Sequence, residues 1–180
     1  MDQPLKLTIS APSGKLFVPF VKKQLKQASV LLRAPLQELS VVFIGDRRMS
    51  ELHRQFMNLP TPTDVLTFPM DEDSHGRPVT GEVYVCIPEA RRQARLRKVP
   101  VAHEVLLYCL HGMLHLCGFD DRTDAEYRKM HRKEDHILTQ LGIGSVFSIN
   151  TDESGLKAKG KIEKSSRRLA VPRAHRGVAE

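Results

Sequence analysis

The stretch His111-Gly112-Met113-Leu114-His115-Leu116-Cys117-Gly118-Phe119-Asp120-Asp121 organises the reading of the whole chain. It closes a long, largely apolar run from Val101 to Cys117 that reads as one helix. His111 and His115 stand four residues apart, so on a helix their imidazoles share one face, about one turn from each other. Gly118 supplies the conformational freedom that ends a helix and swings the chain back toward its last turn. Asp121 lies three residues further on, within reach of that turn. Two imidazoles and a carboxylate, with a fourth position left for water, are the donor set of an open zinc site. The expectation is a metal-dependent hydrolase that holds one divalent ion, Zn2+ by donor type, on His111, His115 and Asp121. Asp120 could ligate in place of Asp121, and His131 and His136 are further candidates.

Outward from this stretch the elements alternate. Leu5 to Ile9 alternates apolar and polar, as a half-buried strand does. Phe17, Val21, Leu25, Ala28 and Leu32 then recur at helical spacing, ended by Arg33-Ala34-Pro35. Leu39 to Ile44 is a buried strand closed by Gly45-Asp46, and a short helix follows from Arg48 to Met57. Val65 to Phe68 and Glu82 to Ile87 are two more strands, with Pro88-Glu89-Ala90 opening a basic helix. Thr123-Asp124-Ala125-Glu126 is a capping box that starts the last helix, whose apolar stripe includes Glu134. The fold class expected is α+β: a single domain with a small mixed four-stranded sheet packed by about five helices. It occupies residues 1–148, and residues 149–180 form a basic tail expected to be disordered.

Composition narrows the function class. The chain has 180 residues with 41% apolar content, enough for one domain with a core. No stretch reaches the roughly 18 consecutive apolar residues of a membrane span, and Met1 to Lys6 lacks the plan of a signal peptide. A cytoplasmic location without membrane association is expected. Three cysteines, with no Cys-x-x-Cys pair, argue for reduced thiols and not for a disulfide scaffold. The formal net charge is +7. Residues 151–180 carry +4 of it, with eight Lys/Arg against four Asp/Glu. Inside the domain Arg91, Arg92, Arg95 and Lys98 cluster on one short stretch suited to phosphates, unless they form only a solvated helix face.

At the histidine stretch the chain resembles the YbeY family of bacterial endoribonucleases and rRNA maturation factors. His111 through Asp120 follow that family's signature position by position. Pro62-Thr63-Asp64-Val65-Leu66-Thr67-Phe68-Pro69 is similar to a second family block, and Gly81-Glu82-Val83 to a third. The resemblance spans residues 5–145 and implies single-strand-specific, metal-dependent RNA cleavage. It further implies maturation of the 16S rRNA 3′ end, ribosome quality control, and rRNA and the ribosomal small subunit as partners. Three positions depart from the family. Asp121 stands where it has a third histidine, Met57 where it usually has an arginine, and His53 where it usually has an asparagine. Carboxylate oxygen is a legitimate zinc ligand, but it lowers the site's charge by one and shifts preference toward harder ions. A thioether cannot replace a guanidinium. Arg54, one helical turn before Met57, could reach a similar place, as could Arg47 or Arg48.

Two further carboxylates are candidates to fix the imidazole tautomers, Glu134 on its apolar stripe and Glu104 two turns before His111. Glu104 would otherwise be an ordinary surface carboxylate. The enzyme rival is a metalloprotease, but its His-Glu-x-x-His motif needs a glutamate where Gly112 stands. The rival from another class is a non-catalytic ribosome-binding factor with a structural metal.

Overall fold

Val41, Val42, Phe43 and Ile44 are β-branched or aromatic and apolar on both sides, the pattern of a central strand covered on two faces. In the computed structural model, which describes residues 4–146, they belong to β2 (Glu38–Ile44) at the centre of the sheet. The sheet has four strands in the order β1-β2-β4-β3, with β1 (Lys6–Ser10), β3 (Val65–Pro69) and β4 (Thr80–Cys86) completing it. β1, β2 and β4 are parallel, and β3 runs antiparallel to β4, so the sheet is mixed. The parallel pairs require crossovers, which helices supply. α1 (Val18–Leu32) carries the chain from β1 to β2, while α2 (Asp46–Met57) separates β2 from β3. α3 (Ile87–Arg97), α4 (Val101–Leu116) and α5 (Asp124–Gln140) follow β4.

The two sheet faces have separate partners. Val41, Phe43, Val83 and Val85 join the large core with α1, α4 and α5. Their sequence neighbours Ile44 and Cys86, with Leu66 and Phe68, pack under Met49 and Leu52 of α2. This is the period-two alternation of a sheet covered on both sides. α4 lies at the centre of the larger side, and 13 of its 16 residues are buried. A helix apolar on all sides is stable only in such a position. It sits close to the sheet because Gly112 has no side chain: a Cβ there would lie 2.7 Å from Val83 Cγ1 and 2.9 Å from Thr67 Oγ1. Gly81 does the same from the strand side, where a Cβ would lie 2.6 Å from Leu116 Cδ1.

The single α+β domain with five helices and a mixed four-stranded sheet is as expected from the sequence. Boundaries moved slightly. α2 starts at Asp46, two residues before the expected Arg48, and β4 starts at Thr80. Both extensions come from tertiary pairing: Thr80 finds Glu38 across the sheet, and Asp46 is held by Arg92. The expected basic tail lies outside the described residues. Among the described residues, no helix is long and apolar enough to cross a membrane.

Candidate metal centre

α4 brings His111 and His115 to its buried end, and the chain reverses immediately after them. Gly118 adopts φ +86°, and the amide of Phe119 donates to Leu114 O at 3.0 Å, so the turn folds back over the last helical turn. Asp121 therefore returns to the histidine face. His115 Nε2 lies 3.0 Å from His111 Nε2. Asp121 offers Oδ2 at 3.6 Å to His111 Nε2 and Oδ1 at 3.8 Å to His115 Nε2. The three ligand atoms lie within 4.8 Å of one another. A tetrahedral zinc ion with bonds of about 2.0–2.1 Å separates its ligands by roughly 3.3 Å, and these distances bracket that figure.

The tautomers follow from the partners behind each ring. His111 Nδ1 faces Glu134 Oε1 at 2.6 Å, and His115 Nδ1 faces the Phe119 carbonyl at 2.9 Å. A carboxylate and a carbonyl only accept, so each Nδ1 carries the proton and donates it. Each neutral imidazole then turns a lone pair from Nε2 toward the other, and two lone pairs 3.0 Å apart repel. A carboxylate closes the third side. A cation among the three atoms removes that repulsion, and the donor set suits a divalent ion of zinc type.

Glu134 is fully buried on α5 and serves two rings, since His131 Nδ1 lies 2.5 Å from its other oxygen. Burial alone pushes this carboxyl up. The electrostatic pull of the His111 ring and the hydrogen bonds from His111 and His131 outweigh burial and hold it at about 2. It therefore stays ionised, as an acceptor of two imidazole protons must. Cys117 borders the site, and burial pushes its thiol up to about 11, so it keeps its proton near neutrality.

The remaining candidates are placed as follows. Asp120 pairs with Arg122 at 2.6 Å and accepts from the Asp121 amide at 2.8 Å, outside the cluster of ligand atoms. His131 stands behind Glu134, and His136 lies exposed on the outer face of α5. Glu104 is fully buried, away from the surface, and meets Arg97 at 2.7 Å. Arg92 is engaged by two carboxylates, Asp46 at 2.6 Å and Glu89 at 2.7 Å. The Arg91 guanidinium sits 5.5 Å from the Phe17 ring centroid. Arg95, Lys98 and Arg54 are exposed. Met57 packs against the apolar cluster beneath α2.

Two contributors escape a reading of the sequence alone. The Phe119 carbonyl is a backbone group with no side-chain signal. His131 could have been paired with Glu134 from their i, i+3 spacing, which places them on one face of a helix. The block Pro62 to Pro69 has a structural use too. Asp64 accepts from Thr63 Oγ1 at 3.0 Å and from the Val65 amide at 2.9 Å, while its carbonyl receives the Cys86 amide at 2.8 Å. That tie fixes the start of β3, the strand whose Thr67 Gly112 packs against.

Known proteins resemble this chain in sequence and fold. The chain is similar to the endoribonuclease YbeY of Thermobifida fusca, 40% identical over 58% of this chain and 72% of that protein. It is also similar to the endoribonuclease YbeY of Mycobacterium tuberculosis, 33% identical over 73% of this chain and 79% of that one. A solution structure of a Thermotoga maritima protein has the same fold, with TM-score 0.52 and 23% identity over 85% of this chain and 99% of that one. The family model for the endoribonuclease YbeY matches residues 8–142, a span that runs from β1 through the histidine turn to the end of α5. With β2 to β4, the histidine helix and its supporting glutamate all inside that match, the chain belongs to the YbeY family.

Proposed function

We propose that this protein is a metal-dependent endoribonuclease that cleaves single-stranded RNA, with one divalent cation held by His111, His115 and Asp121. The observation that carries the reading is the convergence of two Nε2 lone pairs and a carboxylate, each imidazole backed by an acceptor. When bound, the cation supplies Lewis-acid chemistry at a phosphodiester and lowers the pKa of a water toward ~7. The residues do the rest. Glu134 and the Phe119 carbonyl hold both rings in the Nδ1–H tautomer and in fixed orientation. Asp121, partly exposed, sets the open side of the site. Gly112 leaves no carboxylate beside the first histidine, which weighs against peptide hydrolysis by the zincin scheme.

Kinship with proteins named endoribonuclease YbeY supports RNA as substrate. The finer roles are maturation of the 16S rRNA 3′ end, ribosome quality control, and contact with the ribosomal small subunit in the cytoplasm. These belong to the same proposal, and the family resemblance is what supports them. A second reading, a ribosome-binding factor with a structural cation, is favoured by Met57. Its side chain is occupied in apolar packing and brings no positive charge to a phosphate.

The deciding experiment offers purified protein structured rRNA fragments and casein, with and without chelator. Cleavage of RNA alone, abolished by chelator and by Asp121→Ala, supports the nuclease. Retained metal with neither substrate cleaved supports the binding factor.

A further inference from the structure

The α5 helix carries a second feature that the metal centre does not use. Lys129, Arg132, Lys133 and His136 stand at i, i+3, i+4 and i+7, so they share one face of the helix. The buried face, with Met130, Glu134, Ile137 and Leu138, lies elsewhere on the cylinder. Together with Phe119 the basic side chains line a shallow surface hollow of about 480 Å³. The Lys129 ammonium stands 5.5 Å from the centroid of the Phe119 ring.

Some basic groups among the described residues are neutralised in place. Arg92 meets Asp46 and Glu89, Arg97 meets Glu104, and Arg122 meets Asp120. Lys129, Arg132 and Lys133 form no ion pair among the described residues. Like charges at i, i+3 and i, i+4 destabilise a helix, and a bound polyanion relieves that repulsion. The hollow and the metal centre share one residue, Phe119. Its ring lines the hollow, and its carbonyl receives the His115 proton at 2.9 Å. Cations beside an aromatic ring are the usual means of holding a single nucleic-acid strand, whose phosphates take the charges and whose bases take the ring.

We propose that the hollow formed by Phe119 and the Lys129–His136 face of α5 holds the single-stranded RNA backbone as it enters the metal centre. The proposal rests on the nuclease reading for its ligand and adds the surface that binds it. It replaces the α3 cluster of Arg91, Arg92, Arg95 and Lys98 as the principal phosphate contact.

The test measures anisotropy of a labelled, cleavage-resistant 2′-O-methyl oligonucleotide on the full-length, metal-loaded protein between 50 and 200 mM salt. Lys129→Ala, Arg132→Ala and Lys133→Ala combined is expected to weaken binding at least tenfold. The slope of log K against log salt should fall by about 2, at ~0.7 per single-strand phosphate contact. Phe119→Leu, which keeps the backbone carbonyl, is expected to weaken binding about fivefold with the slope unchanged. Arg91→Ala, Arg95→Ala and Lys98→Ala combined should change affinity less than threefold. Glutamine versions of the α5 residues replace the alanines if melting shows the triple variant to be unfolded.

An α5 variant that binds within twofold of the parent with the same slope overturns the proposal. So does displacement of the RNA by poly-glutamate at equal charge, which marks an acidic-protein face instead. If the parent still cleaves rRNA fragments in those cases, the nuclease reading stands alone. A parent with no affinity for RNA at 50 mM salt sinks both.

Discussion

α3 and α4 are neighbours in sequence and pack against each other, yet they use their polar residues in opposite ways. α4 buries His111 and His115 and gives each a fixed partner on its Nδ1 side, leaving both Nε2 atoms turned to a common point. α3 displays a dense run of arginines, and two of these are tied to carboxylates from elsewhere, Asp46 and Glu104. Spacing on one rigid helix predicts geometry, because both groups ride the same backbone. Charge density on a helix predicts much less, because the partners that neutralise it arrive from distant segments. Buried polar atoms that converge are therefore a better pointer to a site than charge density alone.

The sharpest attack on this contrast removes a donor from α4 or its turn. His111→Ala and Asp121→Ala are each expected to lose the bound metal, read by elemental analysis after gel filtration, and to lower RNA cleavage at least a hundredfold. Asp121→His should keep the metal and raise zinc affinity, which titration against a chromogenic chelator measures. If His111→Ala keeps a full equivalent of metal, the α4 side of the comparison fails.

Next in size is the group behind the ring. Glu134→Gln retains the volume but loses the charge that orients His111 and His131. Metal affinity is expected to fall about 10–100-fold, the usual consequence of removing such a partner. The same chelator competition reads it, and an unchanged affinity would reduce Glu134 to core packing.

Gly112→Ala tests how closely α4 must approach the sheet. Alanine favours a helix over glycine by up to ~1 kcal/mol. Its Cβ would press on the buried Val83 and Thr67 side chains at 2.7–2.9 Å. Overpacking of that kind typically costs about 1–3 kcal/mol, so a net loss is expected in urea unfolding. A gain in stability would show that the helix is free to move.

The smallest effect belongs to α3. The Arg92 hydrogen bonds hold the Asp46 carboxyl below its ordinary 3.8, against the upward push of partial burial. A lowered native pKa contributes stability above the unfolded value and loses it as pH falls through the native one. Both side chains are nearly half exposed, so solvent screening leaves about 0.5 kcal/mol. Asp46→Asn should therefore lower the urea midpoint slightly at pH 7, and the difference should shrink as pH falls below 3.8 and vanish once the native carboxyl is itself protonated. A large loss at pH 7 would mean that the α3 pairs anchor the fold more strongly than their exposure implies.

Several elements could be read locally because each is settled within a few residues. The capping box of Thr123 and Glu126 forms as written, with Thr123 Oγ1 accepting the Glu126 amide at 3.2 Å. Gly118 takes the left-handed turn that its place after the last helical residue required. Less legible was the fate of single charges. Glu104 had the same helical phase as His111 and a surface position as its ordinary alternative, yet it is fully buried against Arg97. His131 read as a spare ligand and instead shares Glu134. For Glu104 the outcome depended on which helix packed alongside, something that no periodicity within one helix records, whereas His131 and Glu134 share α5 and their i, i+3 spacing carried the pairing.

The order of residues alone was enough to place His111 and His115 on one helix face, to end that helix at Gly118, and to lay out four strands among five helices. These are short-range consequences of helical and strand periodicity and of backbone freedom, and they hold before the chain has folded. Only the packed molecule decided that α5 delivers Glu134 to the back of His111, that Arg92 belongs to Asp46, and that Met57 lies in apolar packing beneath α2. Those contacts join residues 23 and 46 positions apart, or a side chain to a whole cluster. Such pairings are selected by how entire helices and the sheet bury their apolar faces, and that choice is a property of the assembled core.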